Sequence, residues 1–504
     1  VRIEKRSDCI WEIPREGGMR VPGRIIASDA LMESIRDDAA VEQVANVAHL
    51  PGIVGYSWAM PDMHLGYGFP IGGVAATAYD AGGVVSPGGV GYDINCGVRL
   101  VASGLTRDEV APRIARLMTC LFEQVPCGPS PRESGMGELS ATETRRALRD
   151  GARYAVARGF GRLEDLECCE ENGALAGAAP DAISDAAIDR GRHQLGSVGS
   201  GNHFLEVGYV SRVFAPDVAR VLGLEEGTVT LLIHCGSRGL GHQVCTDFLR
   251  EIRAAHFGFT LPDRQLAAAP LDSELGRRYL GAMNAAANFA WANRQTLMVL
   301  AQRVFAGVFA APADRLGFRL VYDVSHNLAK TETHRIAGTS RLVCVHRKGA
   351  TRALPPGDER VPAEYRGIGQ PVLVPGDMGT ASHVCVGAAV EGEHPFHSSC
   401  HGAGRQLSRR SATRRGAGRS IVDELKQRGI VVMAKNRRTL AEEMPEAYKD
   451  VSEVVGTLAR VGVIRQGGEM RPLGVIKGEG GRERGGRRPP FAGSVPYEAA
   501  LGSR

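Results

Sequence analysis

What the chain lacks narrows its class first. None of its 11 cysteines stands in a Cys-x-x-Cys pair, and the odd set, spread from Cys9 to Cys400, makes neither a zinc ribbon nor a disulfide framework. Reduced thiols and a cytoplasmic setting are the expectation. Residues Val1 to Arg6 carry charge with no apolar segment behind them, so no signal peptide is expected. The most apolar long stretch, 297–313, is interrupted by Gln302 and Arg303 and does not read as a membrane span. Net charge is also scarce. A value of +5 over 504 residues neither requires nor excludes a polyanionic partner, so any such claim rests on local charge. No RRM, KH or zinc-knuckle pattern occurs, which argues against a simple RNA-binding module.

What is present is a soluble globular composition, 43% apolar and 23% charged, with length for one large domain or several. Apolar periodicity predicts helices over 27–48, 106–124, 141–158, 241–257, 272–309 and 421–427. β-Branched runs predict strands over 228–234, 317–324, 341–345 and 371–375. This order indicates an α/β or α+β fold and does not suggest a doubly wound sheet. Stretches 60–73 and 86–99, dense in Gly and Pro, read as structured loops; 127–140 reads as a polar loop and 346–352 as a basic one. Residues 479–504 are rich in Gly, Arg and Pro and read as a disordered tail. Its Arg482, Arg484, Arg487 and Arg488 allow a weak RNA contact or simply a solvated end.

Several loops carry chemistry. Asp93 and Cys96 sit three apart in a glycine-rich turn, where a carboxylate and a thiolate can converge on one cation. Asn202, His203 and Glu206 place an amide, an imidazole and a carboxylate just after Gly199 and Gly201. His234 ends a buried strand, and His326 repeats that pattern. Asp93, Cys96, His203, His234 and His326 are more ligands than one tetrahedral ion needs; two ions bridged by the thiolate would use them all. A thiolate with imidazoles suits zinc on donor chemistry alone. His401 lies between small residues, ahead of Arg405, Arg409, Arg410, Arg414, Arg415 and Arg419, which can hold anionic oxygens. Such a histidine could be a metal ligand, a proton shuttle or a nucleophile.

Taken in order, residues 60–74, 86–100, 195–207, 233–243, 323–330, 346–353, 375–382, 400–405, 442–454 and 472–478 resemble the RtcB family of RNA-splicing ligases, most specifically at 87–100, 199–207, 346–353 and 400–405. The resemblance implies a single large α+β catalytic domain over 1–478, with central sheets, flanking helices and a metal/nucleotide cleft. It implies a ligase that joins RNA ends bearing a 2′,3′-cyclic phosphate or 3′-phosphate to 5′-hydroxyl ends, in tRNA splicing or RNA repair. GTP and two Mn²⁺ ions are the implied cofactors, and archease is a possible activating partner. The implied metal ligands are Asp93, Cys96, His203, His234 and His326, with Cys96 bridging. His401 matches the histidine that takes GMP covalently. Implied nucleotide contacts are Asn202, His203, Phe204, Leu205, Glu206, His326, Asn327, Pro375, Gly376, Asp377, Met378, Ser382, Gly402, Ala403, Gly404, Tyr448 and Lys477. Two positions depart from the family pattern. Asp377 replaces a Ser, where a carboxylate would repel a triphosphate unless neutralised, and Ser325 replaces a Cys. Arg238, Arg347 and Lys348 are expected to meet RNA phosphates. The rival reading is a metal-dependent RNA phosphodiesterase or nuclease without nucleotidylation.

Overall fold

The computed structural model describes residues 1–128, 135–390 and 392–478. The expected tail, 479–504, and part of the expected loop 127–140 lie outside the described residues.

Two large sheets organise the fold. The first runs in the order Glu4–Ser7, Ile10–Ile13, Gly23–Ile26, Ile53–His64, Ile71–Ala78, Thr339–Lys348, Asn327–Ile336. It is antiparallel except where Gly23–Ile26 meets Ile53–His64. The second runs Arg319–Ser325, Gly97–Thr106, Thr228–Cys235, Phe204–Val213, Ile464–Lys477, Ser382–Gly387, Pro371–Val374, and Val431–Ala434 adds in parallel to Ile464–Lys477.

The second sheet is buried on both faces because its strands alternate apolar side chains. Val98, Leu100 and Leu232 enter one apolar cluster with Leu373 and Val384. Val101, Leu231 and Ile233 enter another, with Leu117 and Leu121 from one helix and Leu297, Met298 and Phe305 from another. That last helix, Glu274–Phe309, has 36 residues, about 54 Å at the usual rise. Ser273 caps it by accepting from the Gly276 amide. Its middle is buried all round, and the small Ala285, Ala286, Ala287, Ala290 and Ala292 let neighbours approach closely.

Several sequence expectations change. The helix expected over 27–48 splits into Asp29–Ile35, capped by Ser28, and Ala40–Val47. That expected over 141–158 breaks at Gly151, whose φ of +58° cannot continue a right-handed helix. The one over 106–124 is interrupted by a 3-10 turn holding Pro112. Residues 60–64 and 71–73 are strand, not loop. The register shift between Ala59 and His64 accommodates Pro61 as an irregularity inside the sheet. The basic loop at 346–352 is also mostly strand, because Thr339–Lys348 pairs on both sides and Ala350–Arg352 pairs with Ser398–Cys400.

Candidate metal and nucleotide cleft

Strand register gathers the candidate ligands at one end of the second sheet. Gly97 pairs with Cys235 on one side and Ser325 on the other, while Phe204 pairs with His234 and with Lys477. Strands lie about 4.8 Å apart. Cys96, His234, His326, His203 and Lys477 are therefore brought together by hydrogen-bond pairing, though they are distant in sequence.

Cys96 Sγ lies 3.3 Å from His203 Nε2 and 3.3 Å from His234 Nε2. His203 Nε2 lies 2.8 Å from Asp93 Oδ2, and the Nε2 atoms of His234 and His326 are 3.2 Å apart. The donors form two groups, Cys96–His234–His326 and Asp93–Cys96–His203, each within 4.8 Å and sharing the thiol. Burial holds His234 and His326 well below the ordinary imidazole range, so each neutral ring keeps one nitrogen with a free lone pair. Burial, with Asp93, pushes the Cys96 thiol up to about 12; a cation in the cluster would reverse this. Two facing Nε2 atoms beside a shared sulfur fit a divalent pair. Glycines make the room. A Cβ at Gly199 would sit 1.9 Å from His203 Nδ1, and one at Gly236 2.3 Å from Asp93 Oδ2.

His401 directly follows the short strand Ser398–Cys400, and its ring centroid is 5.1 Å from that of His326. Its Nδ1 lies 2.5 Å from Asp62 Oδ2, which also accepts from the His401 amide at 3.0 Å. Asp62 is fully buried. The carboxylate thus fixes the proton on Nδ1 and leaves Nε2 as a lone-pair donor. The sequence reading overlooked Asp62. The available signal was a single acid within the Gly/Pro-rich stretch 60–73.

A cavity of about 1410 Å³ joins these groups. Asn202, His203, Phe204, Glu206, His326, Asn327, Pro375, Gly376, Asp377, Met378, His401, Gly402, Ala403, Gly404, Tyr448 and Lys477 all line it. Leu205 and Ser382 do not. The Leu205 side chain points into the core, and the Ser382 hydroxyl accepts from the Gly376 amide, bracing that loop. Asn327 also stitches loops, donating to the Asp93 carbonyl and accepting from the Gly349 amide. Burial first, then Asp377, pushes Glu206 up to about 8 against the pull of Lys477. The Asp377 carboxylate is turned to its own loop, accepting from the Gly379 amide and the Thr380 hydroxyl, and burial raises its pKa. Burial takes Lys477 down to about 8 despite nearby Glu443. Glu443, not singled out from sequence, accepts from the Tyr448 hydroxyl and pairs with Arg405 at 3.2 Å.

The basic residues divide. Arg238 and Lys348 line the cavity; Lys348 donates to the Tyr67 and Phe69 carbonyls, and burial takes it down to about 7. Arg347 does not reach the cavity. It is buried against Glu332, Ser398 and the Phe396 carbonyl, because a guanidinium out of water needs these partners. Among the arginines after His401, Arg405 and Arg409 line the cavity, whereas Arg419 is held by Glu424 and Glu446.

Beneath the cluster lies a polar support. Arg294, fully buried in the long helix, donates to the carbonyls of Asn95 and Cys235, next to Cys96 and His234, and pairs with Asp323 at 2.7 Å. Asn293 accepts from the Gly196 and Ser197 amides and donates to the Gly236 carbonyl. An arginine in the middle of an alanine-rich helix was the legible sign of this support.

Fold and cleft together define a mixed α+β protein with a thiol–imidazole–carboxylate cluster at the end of a buried sheet. The family profile described as "tRNA-splicing ligase RtcB" matches residues 43–478. The chain is 53% identical over 479 residues to the tRNA-splicing ligase RtcB of Thermococcus kodakarensis, covering 94% of this chain and 98% of that protein. It is 51% identical over 480 residues to that of Archaeoglobus fulgidus, covering 94% and 99%. It is 54% identical over 440 residues to the RNA-splicing ligase RtcB of Mycobacterium bovis, covering 86% and 100%. The chain belongs to the RtcB family.

Proposed function

We propose that this protein, an RNA ligase by family, seals 2′,3′-cyclic phosphate or 3′-phosphate RNA ends to 5′-hydroxyl ends using GTP and Mn²⁺, with residues 1–478 as one catalytic unit. The observation that carries the reading is His401. Its Nδ1 is held by Asp62, so that Nε2 is left for nucleophilic attack beside the Cys/His/Asp cluster. A hydrolase would use the same Asp62–His401 pair only as a general base and would form no covalent nucleotide, so labelling of the protein separates the two readings.

In this reading Asp93, Cys96, His203, His234 and His326 would hold two divalent ions, the Cys96 sulfur belonging to both donor groups. Bound there, the ions would draw charge off phosphate oxygens. His401 Nε2 attacks the α-phosphorus of GTP; the N–P bond forms and the bond to the departing pyrophosphate breaks. Asp62 stabilises the positive charge that develops on the ring. An RNA 3′-phosphate oxygen then displaces His401 from the GMP phosphorus, restoring the neutral imidazole. The RNA 5′-hydroxyl finally attacks the activated 3′-phosphorus, loses its proton and expels GMP. A cyclic phosphate is first opened by water. Glu206 and Tyr448 take nucleotide hydrogen bonds, while Lys477 and Arg405 offer positive charge to its phosphates. Arg238 and Lys348 meet RNA phosphates. Manganese is favoured here by family, against the zinc preference of the donor set alone.

Thiols such as Cys96, Cys235, Cys344, Cys385 and Cys400, which form no disulfide, suit a reducing compartment such as the cytoplasm. Among the described residues no helix is long and apolar enough to cross a membrane. tRNA splicing or RNA repair is the proposed setting, with archease a candidate activating partner.

The test is incubation with GTP labelled at the α-phosphate. The expected result is an acid-labile protein adduct that requires Mn²⁺, disappears with chelator and is absent in His401→Ala. Wild-type protein that stays unlabelled with Mn²⁺ present, yet cleaves RNA, would establish the phosphodiesterase reading instead.

A further inference from the structure

We propose that the same cleft contains a stacking subsite for the terminal base of a single-stranded RNA, built on Tyr92, Tyr67 and His242. This deepens the RNA-ligase reading and rests on it. The Tyr92 and His242 rings are stacked, with centroids 4.8 Å apart and planes 27° apart. Tyr67 meets Tyr92 edge-on at 5.4 Å and 66°. All three rings line the cavity and are only partly buried, so the aromatic wall opens onto the cleft and is not sealed into a core.

Position and charge indicate what the wall takes. Tyr92 immediately precedes Asp93, so the wall begins one residue from the cation-binding cluster. Lys348 fixes the other end by donating to the Tyr67 carbonyl at 2.6 Å. Glu206 and Lys477, suited to the guanine nucleotide, lie on the paired strands Phe204–Val213 and Ile464–Lys477, and Tyr448 on the segment before the latter, whereas Tyr67, Tyr92 and His242 lie outside both strands and are left unused. Arg190 and Arg238 line the same cavity and can meet backbone phosphates. Aromatic faces with flanking arginines bind unpaired nucleotides with little regard to sequence, because every base has a π-face. Such tolerance suits an enzyme that must accept RNA ends of differing sequence.

The test uses the full chain and short single-stranded oligoribonucleotides, with a fluorophore remote from the end studied. Binding is followed by anisotropy for an intact oligonucleotide, one abasic at its 5′-terminal nucleotide and one abasic at its 3′-terminal nucleotide. Wild-type protein should lose about tenfold in affinity when the base is missing from one end, and the responding end identifies the strand. Tyr92→Leu and His242→Leu should bind intact and abasic RNA alike, which a merely structural role for the rings would not produce. Equal binding of all three oligonucleotides by wild-type protein overturns the subsite, and so does an undiminished abasic penalty in both variants. The wild-type comparison needs no variant to fold. A wild-type protein that shows the abasic penalty but takes no label from GTP supports the subsite and overturns the ligase mechanism, so the two failures are distinguishable.

Discussion

Replacing Asp62 separates charge from tautomer control at His401. In the native site one carboxylate oxygen, Oδ2, accepts two hydrogen bonds, from His401 Nδ1 at 2.5 Å and from the His401 amide at 3.0 Å. In Asp62→Asn the backbone amide still demands an acceptor there, so the side-chain oxygen, not the NH₂, should face it. The imidazole then keeps its proton on Nδ1, and Nε2 remains the nucleophile. What is lost is charge. A hydrogen bond to an ionised group is worth about 1.5–3 kcal/mol, a neutral one about 0.5–1.5. The difference, about 1–1.5 kcal/mol, corresponds to about tenfold in the rate of adduct formation. Asp62→Ala should cost far more, because two buried donors lose their acceptor and the ring is free to take the unreactive tautomer. The assay is single-turnover labelling with GTP under saturating Mn²⁺, with folding checked by circular dichroism. Loss of several orders of magnitude in Asp62→Asn would refute the oxygen-inward argument. Near-wild-type labelling in Asp62→Ala would refute the positioning role itself.

Three further outcomes follow from the geometry. Arg294→Met leaves Asp323 with only Arg99 and frees two carbonyls beside the ligands; about 3 kcal/mol of stability should be lost in urea unfolding, and a loss below 0.5 would show the support to be dispensable. Glu206 has a folded pKa of about 8, raised by burial from an ordinary 4.5, so the nucleotide-free protein binds an extra proton relative to the unfolded chain. Its contribution to stability is fully present below about 4.5 and is lost as pH rises through about 8. Relative to Glu206→Gln, the wild type should therefore lose thermal stability between pH 6 and 9, and parallel curves would contradict the burial argument. Arg238→Ala should weaken RNA binding and lower the slope of log affinity against log salt by about one. Arg347→Ala should instead lower stability, since Arg347 is paired with Glu332 in the interior; the reverse pattern would reassign both arginines.

The legible part of the sequence was local. Glycine density around Asp93, His203 and His401 marked where backbone must pass close to something, and apolar runs ending in His234 and His326 marked strand ends. The 36-residue helix announced itself by unbroken periodicity. Less legible were elements whose state depends on partners. Residues 60–64 contain a proline and looked like loop, yet neighbouring strands hold them in a sheet with a local irregularity. Arg347 looked like Lys348's companion in a basic loop, but strand pairing turned one into the interior and let the other line the cleft. Residue types alone thus determined which chemistry was on offer: thiols, carboxylates and imidazoles beside flexible glycines. Only tertiary structure decided that Cys96, His203, His234 and His326 meet, because that rests on the order and register of four strands in the second sheet. It also decided that Asp62, 339 residues from His401, is the group that sets its proton. Chain separation carries no information about such a contact; sheet order and hydrogen-bond register do.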